Sequence, residues 1–188
     1  MPKTAFVLID IQNDYFEGGL YPLVDINRAA DNSAKLLQQL RRLPDQFHII
    51  HVRHEFTGEA KDAPFFGKDT PGSQIHEKVK NNSDEPVILK HSPNSFIETS
   101  LKSELDNNGI KDVVIVGAMA HMCVQGTTRG AAELGYNATV ITDAVAAPDL
   151  EYGGVTVPAK QVSAAVFATL AFGYAKLTTT EEFLGALD

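Results

Sequence analysis

A single cysteine, Cys123, is all the thiol chemistry this 188-residue chain has, and one cysteine closes no intrachain disulfide. Burial must therefore hold the fold together, as suits a reducing compartment. Positive charge is also short: 16 Lys and Arg stand against 24 Asp and Glu, for a formal net charge of -8 and a pI near 5.2. The basic residues are scattered, and this argues against nucleic acid as the main partner, because phosphate binding needs clustered Lys and Arg. No apolar run approaches the length of a membrane span, and the opening MPKTAFVLID is too short and too quickly acidic for a signal peptide. A cytoplasmic protein with no membrane partner is expected. Internal repeats, low-complexity tracts and linkers are missing too, so one domain over residues 1–188 is the default.

Apolar runs alternate with helical patterns. The runs are AFVLI (5–9), FHIIHV (47–52), PVILK (86–90), DVVIVG (112–117), ATVIT (138–142) and a weaker AKLTT (175–179). Between them, INRAADNSAKLLQQLRRL, SFIETSLKSELDNNG, CVQGTTRGAAELG and PAKQVSAAVFATLAFG carry apolar residues at helical spacing. That order predicts an α/β protein: three layers, α/β/α, around a mostly parallel, doubly wound six-stranded sheet. Asn108-Gly109 and Gly135 are expected helix stops. Segments 55–79 and 144–160 break the alternation and are candidate pocket walls, the first with one helical turn.

In an open parallel sheet the reactive crevice lies beyond the carboxyl ends of the strands. The first strand ends at Asp10, the third at Lys90, and the fourth runs through GAMAHM to Cys123. Singly, each has an ordinary explanation: a turn acid, a solvated lysine, a packed cysteine. An acid, a cation and a thiol delivered to one crevice make a different case. A thiol at a helix N-terminus beside an ammonium is expected to ionise readily, with Asp10 as proton acceptor and turn N–H groups binding an oxyanion.

The stretches FVLIDIQNDYF, KHSPNSFIETSL and GAMAHMCVQGTTRGAAELGY, in that order and covering nearly the whole chain, resemble the isochorismatase-like cysteine hydrolase family, which includes nicotinamidases and N-carbamoylsarcosine amidohydrolases. The resemblance implies a triad of Asp10, Lys90 and Cys123. It also implies a cis peptide between Ala118 and Met119, with the N–H groups of Met119 and Cys123 forming the oxyanion hole. Acyl transfer through a thioester, cleaving a C–N bond of a small amide or ureido compound, is the activity implied. Hydrolysis of an isochorismate-like enol ether and a non-catalytic binding role are the competing readings.

The family pattern breaks at His51-Val52-Arg53-His54-Glu55-Phe56. Nicotinamidases carry an Asp-x-His metal motif there, whereas this chain offers His54 and Phe56, and Phe56 cannot bind metal. No catalytic metal and no cofactor are expected; a residual site from His54, Glu55 and His76 is the weaker alternative. Position alone nominates Gln12, Phe16, His54, Phe96 and His121 for substrate binding, although Phe16 and Phe96 suit the core equally and His121 could bridge backbone groups. Asp143 is read as a structural residue ending the fifth strand, and Arg53 as the partner of a nearby acid. The small residues of QVSAAVFATLAFGYA (161–175) fit either its own sheet or a neighbouring copy, and a homo-oligomer, dimer or tetramer, is expected.

Overall fold

A computed structural model describes residues 3–187 of the expected 1–188 domain; Met1, Pro2 and Asp188 lie outside the described residues. Six strands form one parallel sheet: β1 (Thr4–Ile9), β2 (Phe47–His54), β3 (Val87–Lys90), β4 (Asp112–Ala118), β5 (Asn137–Ala146) and β8 (Ala175–Thr178). Their spatial order is β3-β2-β1-β4-β5-β8, and every pairing is parallel. Between β5 and β8 a separate antiparallel hairpin is made by β6 (Leu150–Tyr152) and β7 (Val155–Val157). The chain leaves β1 toward β2 on one side and returns as β4 on the other, so the winding reverses between β1 and β4. Such a reversal opens a crevice at the carboxyl ends of the two strands.

Helices cover both faces, as the sequence predicts. Helix α1 (Ile26–Leu40) buries Ile26, Ala29, Ala30, Ser33, Leu36, Leu37 and Leu40, a three-and-four spacing that keeps one stripe on the sheet. It shares its core with Phe6, Leu8, Val114 and Val116, and with Phe183 of the short α5 (Thr180–Gly185). The opposite core takes the alternate strand residues Val7, Ile9, Val113 and Ile115. They pack with Leu101 and Leu105 of α2 (Leu101–Asn107), Ala131 of α3 (Gln125–Glu133), and Val162, Val166 and Leu170 of α4 (Ala159–Gly173). Successive residues of β4 thus feed opposite cores, which is the period-two rule at work on a strand covered on both sides.

Three expectations need correction. The helix anticipated across 95–109 is confined to Leu101–Asn107, because Glu98 takes a left-handed conformation, φ 55°, that a right-handed helix cannot contain, and Ser95 is tied by its N–H and hydroxyl to Thr127. The fifth strand does not end near Asp143 but continues to Ala146, beyond a register shift opposite Ile115 and Gly117. Asp143 is structural as read, its carboxylate accepting from both the N–H and the hydroxyl of Thr180. Segment 55–79 contains three single 3-10 turns, at Ala60–Asp62, Pro71–Ser73 and Glu77–Val79, in place of one. Gly109 and Gly135 do end helices, with φ of 65° and 86°.

Candidate active site

The strand ends deliver three side chains to one point. Asp10 follows β1 in a left-handed backbone conformation, φ 52°, held by its N–H donating to Val52 and its carbonyl accepting from Gln12. Few non-glycine residues adopt that conformation, and those that do cluster at functional sites. After β4 the backbone passes a cis Ala118–Met119 peptide and enters a wide π-type turn, Ala120–Val124, that runs on into α3. Cys123 therefore sits in the first turn of a helical run, with the carboxyl end of β4 beneath it. Gly117 makes the approach possible: its φ is +126°, and a Cβ there would lie 1.9 Å from the Ile9 carbonyl oxygen.

Lys90 links the three. Its Nζ lies 2.8 Å from Asp10 Oδ2, donates to Cys123 Sγ at 3.2 Å, and contacts His54 Nδ1 at 3.0 Å. The contact with Asp10 is a close ion pair, and neither buried carboxylate oxygen has a well-aligned hydrogen-bond partner among the described residues. Asp10 and Lys90 are essentially inaccessible, while Cys123 retains 6% exposure, the one opening of the group toward solvent.

Burial dominates the electrostatics. It pushes the Asp10 carboxyl above its ordinary value, against the opposing charge of Lys90. On Lys90 burial favours the neutral amine, yet the Asp10 charge first, and then the contacts with Asp10 and Cys123, outweigh it and leave the ammonium more basic than usual. The thiol differs from expectation: burial, and then the Asp10 charge, drive Cys123 upward, and Lys90 only partly offsets them. Lost hydration thus disfavours the thiolate more than the neighbouring ammonium favours it.

The substrate-binding nominations fare unevenly. Gln12 is fully buried and is a brace: its amide nitrogen donates to the His54 and Ser73 carbonyls at 2.9 and 2.7 Å, and its oxygen accepts from His54 N–H at 2.7 Å. Phe16 is a core residue stacked on His76 at 3.6 Å, and Phe96 stacks on Tyr136 at 5.8 Å against the α2 core. His54 contacts Lys90. His121 is half-buried, and its Nδ1 has no partner among the described residues, so the bridge to backbone groups is not made through that atom. Arg53 pairs with Glu55 at 2.8 Å, as read. Tyr15 was missed: it is buried, and burial first of all, then the Asp10 charge, pushes its phenol well above its usual range. A tyrosine amid apolar residues carries no mark in sequence to separate it from ordinary core.

Two clefts lie elsewhere on the surface. One of about 630 Å³ is lined by Arg53, His76, Glu77 and Lys80, and one of about 620 Å³ by Arg28, Asp143, Ala146 and Lys160. Neither has Asp10, Lys90 or Cys123 in its wall. For a metal, the atoms of Asp10, His54 and Cys123 lie within 4.8 Å of one another, but the Lys90 ammonium already contacts all three. The Asp-x-His metal motif does not fit either, since Phe56 has no ligand atom and His54 Nδ1 is engaged with Lys90.

Residues 4–182 match the Isochorismatase domain family. The chain belongs to this family. An uncharacterized isochorismatase family protein of Bacillus subtilis, YddQ, is 43% identical over 96% of this chain and 98% of its own length. A crystal structure from Oleispira antarctica, assigned to the isochorismatase hydrolases, superposes with a TM-score of 0.92 at 46% identity, covering 98% of this chain and 97% of the other. A streptothricin hydrolase of Streptomyces noursei is 31% identical over 86% of this chain and 57% of its own length. An isochorismatase-family hydrolase on a six-stranded parallel sheet is thus the common ground of sequence and structure.

Proposed function

We propose that this hydrolase cleaves a C–N bond of a small amide or ureido compound, with Cys123 as nucleophile, Asp10 as general base and Lys90 as the cation that couples them. The observation that carries the reading is the Lys90 ammonium in contact with a buried carboxylate and a buried thiol at once. Asp10, made more basic by burial, takes the thiol proton as sulfur attacks the carbonyl carbon. The N–H groups of Met119 and Cys123 receive the developing oxyanion; the Met119 N–H donates to no backbone carbonyl among the described residues, which leaves it for that role. The C–N bond then breaks, the amine leaves with the proton held by Asp10, and a thioester remains. Asp10 next deprotonates water, whose oxygen adds to the acyl carbon as the C–S bond breaks, and Asp10 then returns the proton to sulfur. The likeness to a streptothricin hydrolase supports small-molecule hydrolysis without fixing the substrate.

A panel of amides, carbamoyl compounds and isochorismate tests this, with ammonia and pyruvate as readouts and intact mass after acid quench to trap the acyl group. Ammonia release with an adduct on Cys123 is the expected result. Pyruvate release without an adduct would favour enol ether cleavage, and binding without turnover the non-catalytic reading. We further propose a homo-oligomer, supported by the exposed apolar face of α4, with Ala164, Ala165, Ala168 and Phe172, and by the exposed Tyr152 and Val155 of the hairpin. Sedimentation equilibrium returning the 20.4 kDa mass of one chain would refute it.

A further inference from the structure

Lys90 stands on β3, two strands away from β1, and its side chain must cross β2, a span of about 10 Å at ordinary strand spacing. The residue of β2 in register with it is His54. We propose that His54 is a positioning residue for the reaction, a neutral acceptor whose Nδ1 takes a hydrogen bond from Lys90 and holds the ammonium between Asp10 and Cys123. The inference rests on reading Cys123 as the nucleophile.

The tautomer follows from donor counting. An ammonium has three N–H bonds and no lone pair, so wherever it meets a histidine nitrogen it is the donor. At 3.0 Å from Lys90, Nδ1 must be unprotonated, and the ring proton resides on Nε2. That Nε2–H is buried and has no partner among the described residues, so nothing there favours the other tautomer. The ring is kept neutral by burial first and by the Lys90 charge second, which together lower its pKa to about 3. A second positive charge would push Lys90 away from the thiol; a neutral acceptor holds it without that penalty.

The backbone beneath the ring is fixed with equal care. Gln12 grips the N–H and carbonyl of His54 with its two amide ends and ties both to Ser73, while the Phe56 ring lies 4.8 Å from the imidazole, edge to face. Lys90 thus has one contact on each of three elements: the end of β1, the end of β2 and the turn after β4. Removing the middle contact frees a long, flexible side chain to swing from the sulfur.

Nitrogen-15 spectra of the labelled wild-type protein test the tautomer directly. His54 is identified among the six histidines by the signal lost in His54→Asn. An unprotonated Nδ1 and a protonated Nε2, unchanged from about pH 5 to 8, are expected; an Nδ1–H tautomer, or titration in that range, would overturn the proposal. The functional arm compares His54→Asn, whose amide oxygen can stand near the Nδ1 position, with His54→Leu, which fills the space without an acceptor. Iodoacetamide should alkylate Cys123 about tenfold more slowly in His54→Leu than in wild type, with most of the rate recovered in His54→Asn. Equal rates in the two variants would sink the idea. Neither readout needs a substrate, so failure to find an amide that turns over would leave the result for His54 intact.

Discussion

The three residues of the proposed triad differ in environment, so their replacements should differ in effect. Replacing Cys123 by Ser should lower substrate turnover by about a thousandfold or more, read as ammonia release, since a hydroxyl in the same place is a far weaker nucleophile beside a single carboxylate base. For Asp10, burial raises the pKa, so the carboxylate is lost as the pH falls through a value above the ordinary 3.8. The acid limb of kcat/KM, which reports the free enzyme, should therefore have its midpoint above that value; a midpoint at or below it would remove Asp10 from the role of base. These three residues were legible in the sequence because strand ends in a parallel sheet converge, and the thiol, the acid and the amine each stood at one. The protonation state of the thiol was not legible. A helix terminus can be read from letters, but the depth of burial that outweighs it depends on the cores of both faces.

At the scale of elements, the short connections do the positioning. Gly117→Ala should destabilise the protein by about 3 kcal/mol or more in a denaturant titration, since the added carbon collides with the Ile9 carbonyl and the φ is one that alanine resists. Gln12→Leu should cost about 2–4 kcal/mol by leaving His54 and Ser73 backbone groups buried without partners. The strand and helix periods gave the sheet and both layers, yet Gln12 passed as a pocket residue. A polar side chain near a catalytic strand end points into the crevice or back to the scaffold, and chain position does not distinguish the two. Helix α2 shows a different limit. Its apolar spacing extends over 95–109, but the left-handed turn at Glu98 breaks the run, and the helix begins six residues later than the pattern.

Across the molecule as a whole, the ion network around Glu85 contributes to the tolerance to acid. Glu85 accepts from Arg41 through both oxygens, at 2.7 Å each, and also from Asn82 N–H, and meets His51 at 3.0 Å, joining α1 to the edge where β2 meets β3. Burial opposes its charge, but these hydrogen bonds, Arg41 foremost, lower its pKa from 4.5 to about 2. Because the folded value is the lower one, the stabilisation is complete above the unfolded pKa and is lost as the pH falls from about 4.5 toward 2. Glu85→Gln should flatten the acid side of a melting-temperature profile and lower the plateau near neutrality; an unchanged profile would assign acid unfolding elsewhere. No helix in the described residues is long and apolar enough to cross a membrane, and the acidic balance read from composition stands.

The seclusion of the sulfur has a bearing on durability. Met122, its chain neighbour, is 40% exposed, whereas Cys123 is nearly covered and its burial disfavours the thiolate. Peroxide attacks open thioethers and thiolates in preference to sheltered thiols. Dilute peroxide should therefore add oxygen at residue 122 before any reaches residue 123, as peptide mass mapping would reveal, and the protein should endure storage in air without added reductant.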